Sequence, residues 1–257
     1  MITYGLIGYP LLHSVSQVYF TDKFRKEKIT GRQYKLFPLI EIQSLTTLLQ
    51  DHKDIYGLNV TIPYKEKILT FLNDLDPVAK KIGAVNTIKI IRKEGPSNLK
   101  GYNTDAGGFR NSINLEEHKN ALILGTGGAS KAVAFVLKNS GINFLFVSRR
   151  IVAPDIISYS SLSKDVIRKH TLIINTTPLG MYPDTSSYPL IPYSCLTKDH
   201  FLYDLVYQPA QTEFLKKGEA RGAKVQNGLQ MLYKQAELSY NIWEMEVRDN
   251  ISENEEV

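Results

Sequence analysis

The sequence predicts an α/β fold of two units, each built on a largely parallel sheet. Strand-like and helix-like patterns alternate along almost all of its 257 residues, as they do when crossover helices join parallel strands. A short apolar run at 121–124 leads directly into the glycine-rich turn GTGGAS and then into a helical pattern. That is the strand–turn–helix order of a dinucleotide-binding unit. The patterns before and after about residue 107 form separate α/β sets, with no internal repeat or low-complexity linker between them.

Residues 3–8 read as a strand and 16–28 as an amphipathic helix. A strand at 34–39 is followed by a helical pattern at 42–50, a short strand at 57–61 and the start of another helix at 64–72. Strands at 84–91 and 99–102 are separated by the turn-rich KEGPSN, and a helical stretch at 104–113 leads to the glycine-rich unit. There the strand 121–124 precedes a helix over 129–137 and a strand at 143–147. The alternation resumes with a helix at 162–169, the strand TLIIN, the strand FLYDLVY, a helix at 212–221 and the short strand AKVQ. A final helix from 229 to about 247 could by periodicity pack on either unit, and the acidic tail SENEEV is expected to fray. The predicted domains are 1–107, joined by the helix and tail 229–257, and 108–228.

Composition excludes several classes. The chain is 43% hydrophobic and 22% charged, as ordinary globular proteins are. A formal charge of +5 without any basic run does not resemble a nucleic-acid footprint, and a pocket for anionic ligands accounts for part of the excess. Cys195 is alone, so no internal disulfide can form, which fits a reducing cytoplasm. No apolar stretch approaches bilayer length, and no basic region precedes an apolar signal core. No His/Cys/Asp/Glu set has metal-ligand spacing, so no metal is expected.

The glycine turn carries the first chemical reading. Gly125, Gly127, Gly128 and Ala129 let the backbone turn and approach a pyrophosphate, which the first amides of the helix then face. Ser130 stands where a third glycine would. The next strand ends in Ser148, Arg149 and Arg150, where an NAD site would have an acidic residue for the ribose 2′-hydroxyl. Guanidinium groups suit a 2′-phosphate instead, so the expected cofactor is NADP. Lys131 either reaches the phosphates or faces water.

In the first unit, polar residues gather at strand ends and turns in HSVS, NVTIPYK, GAVNT and GYNTDAGGF. Ser14, Ser16, Asn59, Thr61, Asn86 and Thr104 could together bind a polyhydroxylated molecule. Lys65 and Asp105 are the one pair among them able to do acid–base work together. Taken singly, Ser14 or Ser16 is as readily a helix N-cap, Asn86 a satisfier of buried backbone, Lys65 a solvated lysine and Asp105 a helix-start carboxylate.

Together, HSVS, NVTIPYKE, GAVNT, GYNTDAGGF, GTGGASKA, NTTPLGM and NGLQMLYKQA resemble the shikimate dehydrogenase family, in order from Gly8 to about Ala236. The resemblance implies a substrate-binding domain with a mostly parallel mixed sheet, a Rossmann-type NADP domain, a cleft between them, and a last helix returning to the first domain. It implies reversible NADPH-dependent reduction of 3-dehydroshikimate to shikimate in aromatic amino acid biosynthesis. Lys65 and Asp105 become the catalytic pair, and Ser14, Ser16, Asn59, Thr61, Asn86, Tyr207 and Gln235 the substrate contacts. Tyr207 is then near both substrate and nicotinamide, Gly228 and Met231 border the nicotinamide, and Asn175, Thr176 and Thr177 line the adenosine–diphosphate side. Arg149 is the strongest phosphate clamp, and Arg150 stands where the family has threonine. Val15, Gln17 and Ile82 also depart from the family pattern, which touches packing around the pocket more than its polar groups. The implied partner is a small molecule, with no nucleic acid or membrane, acting on a monomer or homodimer. The alternatives are an NAD-preferring quinate/shikimate dehydrogenase, a methylenetetrahydrofolate dehydrogenase lacking the HSVS and GxNTD pair, and a non-catalytic NADP-responsive binding protein.

Overall fold

The structure is a computed structural model that describes residues 1–11, 14–92, 97–151 and 153–252, with 246–252 described in their backbone alone. His13, most of the KEGPSN turn and the tail beyond Ser252 lie outside the described residues. The chain divides into two compact units, one of Met1–Gly107 with Gln235 onward, the other of Gly108–Lys234.

The first unit contains β1 (Ile2–Gly8), α1 (Val15–Lys26), β2 (Arg32–Pro38), α2 (Leu45–Asp51), β3 (Ile55–Val60), β4 (Asp74–Leu75), α3 (Pro77–Ile82), β5 (Thr87–Ile91), β6 (Asn98–Tyr102) and the start of α4 (Thr104–Arg110). Its sheet has the order β2-β1-β3-β5-β6-β4. β1 runs parallel to β2 and β3, whereas β5 is antiparallel to β3 and β6, so the sheet is mixed. Alternation of side chains sorts two cores onto its faces. Tyr4, Leu6 and Tyr34 pack with Phe20, Phe24 and Trp243, while Ile7, Phe37 and Leu58 join Leu45, Ile68 and Ile88.

The second unit contains β7 (Asn120–Leu124), α5 (Gly128–Asn139), β8 (Asn143–Val147), β9 (Ile156–Ile157), α6 (Lys164–Lys169), β10 (Leu172–Asn175), β11 (Phe201–Asp204), α7 (Glu213–Glu219) and β12 (Lys224–Asn227), and α8 (Leu229–Ser252) starts there. Every strand pairing is parallel, in the order β12-β11-β10-β7-β8-β9. The chain leaves β7 for β8 and β9 on one side, then returns to β10 on the other. The strand ends of β7 and β10 therefore flank the point where the order reverses, the usual place for a ligand crevice.

Several elements differ from the sequence reading. The helix expected at 64–72 is a 3₁₀ segment, Lys67–Phe71, because the chain must reach the sheet by Asn73, whose N–H bonds Leu99 O at 2.9 Å. β4 and α3 were not expected, although α3 carries its own signals. Asp76 caps it by accepting from Val78 N and Ala79 N, Pro77 opens it, and Gly83 (φ 70°) closes it. The strand FLYDLVY stops at Asp204, where the carboxylate accepts from Val206 N at 3.0 Å and turns the chain.

From Gln235 onward, α8 belongs to the first unit, which answers what periodicity left open. The Trp243 ring stacks on Tyr4 at 4.6 Å, and its Nε1 donates to Ile88 O at 3.0 Å. Glu244 accepts from Tyr4 and from Arg32, and Glu237 from Tyr19 and Lys23. Gly57 is required beneath the indole, since a Cβ there would overlap its five-membered ring. Gly57→Ala is accordingly expected to destabilise the first unit by roughly 1–3 kcal/mol, the usual cost of overpacking. Urea denaturation followed by fluorescence of Trp243, the single tryptophan, checks this; an unchanged midpoint would refute it.

Candidate active site

Of the expected first-unit residues, Asn59, Lys65, Asn86, Thr104, Asp105 and Gln235 gather where β3, β5, β6 and α8 converge. Lys65 Nζ donates to Asp105 Oδ2 at 2.6 Å, with the two side chains only 17% and 7% exposed. Asp105 sits in the first turn of α4, so its place on that carboxyl is also that of a helix-start anion. Asn86 holds its other oxygen, donating from Nδ2 to Asp105 Oδ1 at 3.0 Å. The Asn86 amide has one possible orientation, because Thr104 N–H needs an acceptor and finds Oδ1 at 2.6 Å. Nδ2 must then face the carboxylate, Thr104 Oγ1 (2.9 Å) and Gln235 Oε1 (3.2 Å).

Behind this pair lies a buried hydroxyl cluster that the sequence reading only partly named. The oxygens of Thr87, Thr104 and Ser239 stand 2.8–3.0 Å from one another. Asn59 Nδ2 reaches Ser239 Oγ at 3.0 Å, and its Oδ1 accepts from the Tyr34 hydroxyl at 2.8 Å. Both ends of the Asn59 amide are therefore hydrogen-bonded inside the protein. Tyr34 and Ser239 were missed. Ser239 had one available signal: it lies four residues after Gln235, on the same helix face, between apolar neighbours.

Ser14, Ser16 and Thr61 stand apart from this cluster in their bonding. Ser14 occupies the N-cap position of α1 but makes no side-chain cap hydrogen bond, so the capping alternative fails there. Ser16 is buried in the first turn of that helix, and Thr61, half-buried after β3, ties to Ile7 O through its backbone N–H.

In the second unit, Gly125 ends β7 with φ 107°, and a Cβ there would stand 2.8 Å from Thr176 Oγ1. Gly127 is exposed and caps α5 with nothing within 4 Å of a built Cβ; Gly128 and Ala129 open the helix. Ser130, at the third-glycine position, is buried and donates to Gly127 O at 2.6 Å, so it stiffens the turn. Lys131 lies in the same first turn of the helix, half-buried. Ser148 accepts from Arg150 N at 3.3 Å at the end of β8, and Arg149 and Arg150 are exposed. Burial raises the Tyr159 phenol, and the Arg149 charge opposes that.

The Asn175–Thr177 turn after β10 is bonded largely to itself. Thr176 Oγ1 donates to Leu124 O at 2.6 Å, and Thr177 gives its N–H and hydroxyl to Asn175 Oδ1. Gly228 allows no side chain, because a Cβ would overlap Leu205 O, and Met231 is buried. Tyr207 is half-buried after β11, and burial pushes its phenol up. Asp204, unnoticed inside an apolar strand pattern, is fully buried. Burial pushes its carboxyl up to about 6, against hydrogen bonds from Thr212, Val206 and Asn175. Among the described residues, no group of three His, Cys, Asp or Glu side chains could hold a metal ion, and no helix is long and apolar enough to cross a membrane.

A family model, the shikimate dehydrogenase substrate binding domain, matches residues 6–88. The shikimate dehydrogenase (NADP(+)) of Clostridium beijerinckii is 39% identical over 96% of this chain and 93% of its own. The chain belongs to the shikimate dehydrogenase family. Two solved structures agree. Shikimate dehydrogenase 1 from Peptoclostridium difficile has 38% identity and a TM-score of 0.81, covering 95% of this chain and 92% of its own. The Thermus thermophilus shikimate 5-dehydrogenase, solved in complex with NADP(H) and shikimate, has 31% identity and a TM-score of 0.81, covering 95% and 93%.

Two outcomes follow from this geometry. Gly125→Ala is expected to cost about 1–3 kcal/mol, since its positive φ strains any side chain and the Cβ meets Thr176; thermal unfolding checks it. Asp204 binds its proton more tightly folded than unfolded, so its contribution to stability is full below about pH 4 and is lost as pH rises through about 6. Asp204→Asn should abolish that decline in denaturation curves taken from pH 4 to 7, and an identical decline in the variant would count against the buried anion.

Proposed function

We propose that this protein interconverts 3-dehydroshikimate and shikimate with NADPH and NADP⁺, as the aromatic biosynthetic enzymes of its family do. The observation that carries the reading is the Lys65–Asp105 contact at 2.6 Å, aligned by Asn86, in a chain whose relatives are shikimate dehydrogenases.

The residues of the second unit fit NADP. Exposed Gly127, with nothing within 4 Å of where a Cβ would stand, leads into a twelve-residue helix whose first amides suit a pyrophosphate. Arg149 and Arg150, exposed at the end of β8, suit a 2′-phosphate. On this reading Gly125, Gly127, Gly128, Ala129 and the Asn175–Thr177 turn hold the dinucleotide, while Tyr207, Gly228 and Met231 border the nicotinamide. NADPH supplies a hydride to the ring carbonyl carbon when bound.

The first unit supplies the rest. Lys65 Nζ carries a proton and a positive charge to the ring oxygen on which negative charge develops. Asp105 Oδ2 aims that ammonium group. Asn86, by holding Oδ1, keeps the carboxylate in the plane that the aim requires. Ser14, Ser16, Thr61 and Gln235 offer the neutral donors and acceptors that a polyhydroxylated acid needs. The substrate-binding domain is then the first unit with the last helix, and the NADP domain the second. The lone cysteine goes with a reducing cytoplasm.

Lys65→Ala is expected to lower kcat at least about 100-fold with a smaller change in shikimate KM. An unchanged kcat would remove Lys65 from the chemistry. Arg149→Ala should raise KM for NADP⁺ about ten-fold or more, the scale of one charge-assisted hydrogen bond, and leave that for NAD⁺ little altered. Spectrophotometric oxidation of shikimate and of quinate with both cofactors tests the whole reading. Shikimate with NADP⁺ is the expected best pair, and quinate with NAD⁺ as the best pair would overturn it. Tight NADP⁺ binding without any turnover would mark a binding protein instead.

A further inference from the structure

Asp204 is a carboxylate with no part in the chemistry above, yet both of its oxygens accept hydrogen bonds. Oδ1 accepts from Asn175 Nδ2 at 2.9 Å and from Val206 N at 3.0 Å. Oδ2 accepts from the Thr212 hydroxyl at 2.6 Å, and Thr212 also caps α7. The three donors come from three different segments: the end of β10, the stretch leading to Tyr207, and the start of α7. Tyr193, in the 3₁₀ turn Tyr193–Cys195, has its phenol pushed up by burial first and by the charges of Tyr188 and Asp204 after it. Burial keeps that phenol neutral, and Lys217 reaches its ring at 5.9 Å.

The acceptor-only nature of a carboxylate has a definite effect on Asn175. With Asp204 ionised, the Asn175 amide must present Nδ2 to it, so Oδ1 must point the other way. There Oδ1 receives the N–H of Thr177 at 3.0 Å and its hydroxyl at 2.6 Å. The turn so held abuts Gly125, whose missing Cβ is what lets Thr176 and Thr177 approach. Through Val206 N the same oxygen ends β11 and sets where the chain leaves for Tyr207.

We propose that Asp204 is a positioning residue for cofactor binding: it orients Asn175, and through Asn175 the Thr176–Thr177 turn beside the glycine loop, without touching the cofactor itself. The proposal rests on the reading that the second unit binds NADP. Thr212 separates this role from mere stability, because it bonds the oxygen that does not face Asn175. Removing the Thr212 hydroxyl weakens the α7 cap and leaves the Asn175 orientation intact.

The test is isothermal titration of NADP⁺ into full-length wild type, D204A, N175A, the D204A/N175A pair, T212V and D204N, with melting temperatures taken on each. Wild type must bind NADP⁺; if it does not, the functional reading fails rather than this inference. D204A is expected to raise Kd about ten-fold, and to add clearly less than that in the N175A background, because the two act in series. T212V is expected to lower the melting temperature with Kd within two-fold of wild type. D204N, of the same shape but a weaker acceptor, should raise Kd about three-fold, and it carries the test if D204A does not fold. A Kd within two-fold of wild type in both Asp204 variants would overturn the proposal. So would an undiminished D204A effect without Asn175, or a T212V variant whose Kd rises as far as that of D204A.

Discussion

The hydrogen bonding around the Lys65–Asp105 pair depends on the orientation of one buried amide, that of Asn86. Its oxygen must take the Thr104 N–H, and its nitrogen is thereby turned to the Asp105 carboxylate. The polar side chains packed around it support this arrangement. The Thr87, Thr104 and Ser239 hydroxyls fill the remaining hydrogen-bond positions, so no buried polar group is left to pull the amide round. Asp105 then has one oxygen bound and one directed at Lys65. A lysine on a flexible stem is thus held without a second charge to hold it.

The second unit solves a different problem by exclusion. Its site needs backbone to come close to backbone, and the residues that matter are those that lack a side chain. Gly125 lets the turn after β10 lie against the turn after β7, and Gly228 lets the start of α8 lie against Leu205. Asp204 complements them by supplying, from inside the sheet, the acceptor that irregular backbone just beyond the strands requires. A buried carboxylate without a cation beside it is costly, and three directed donors offset much of that cost.

The long last helix ties these themes to folding. Its aromatic and acidic residues, Tyr240, Trp243, Glu237 and Glu244, lock onto β1, α1 and β2 of the first unit. The same helix brings Gln235 and Ser239 to Asn86 and Thr104. One helix thus joins the aromatic packing of Trp243 and Tyr240 to the hydrogen bonds of Gln235 and Ser239.

The alternating pattern, the glycine turn and the arginines after β8 were legible in the sequence, because each depends on residues close together or on a period of two or 3.6. Lys65 and Asp105, 40 positions apart, were candidates by residue type and became a catalytic pair only through the family resemblance. Short elements were not legible. α3 has a clear cap, proline and terminal glycine, yet six residues give too little periodicity to stand out, and the expected helix at 64–72 was cut short by a sheet contact no local pattern records. The roles of Asn59, Ser239 and Asp204 were out of reach for the same reason. Asn59 and Ser239 meet across 180 positions of chain, and Asn175 and Asp204 across 29. The sequence by itself determined which chemical groups are present and which strands and helices carry them. Only the tertiary structure decided which of those groups face one another, because a hydrogen bond is satisfied by proximity in space and leaves no mark on spacing along the chain.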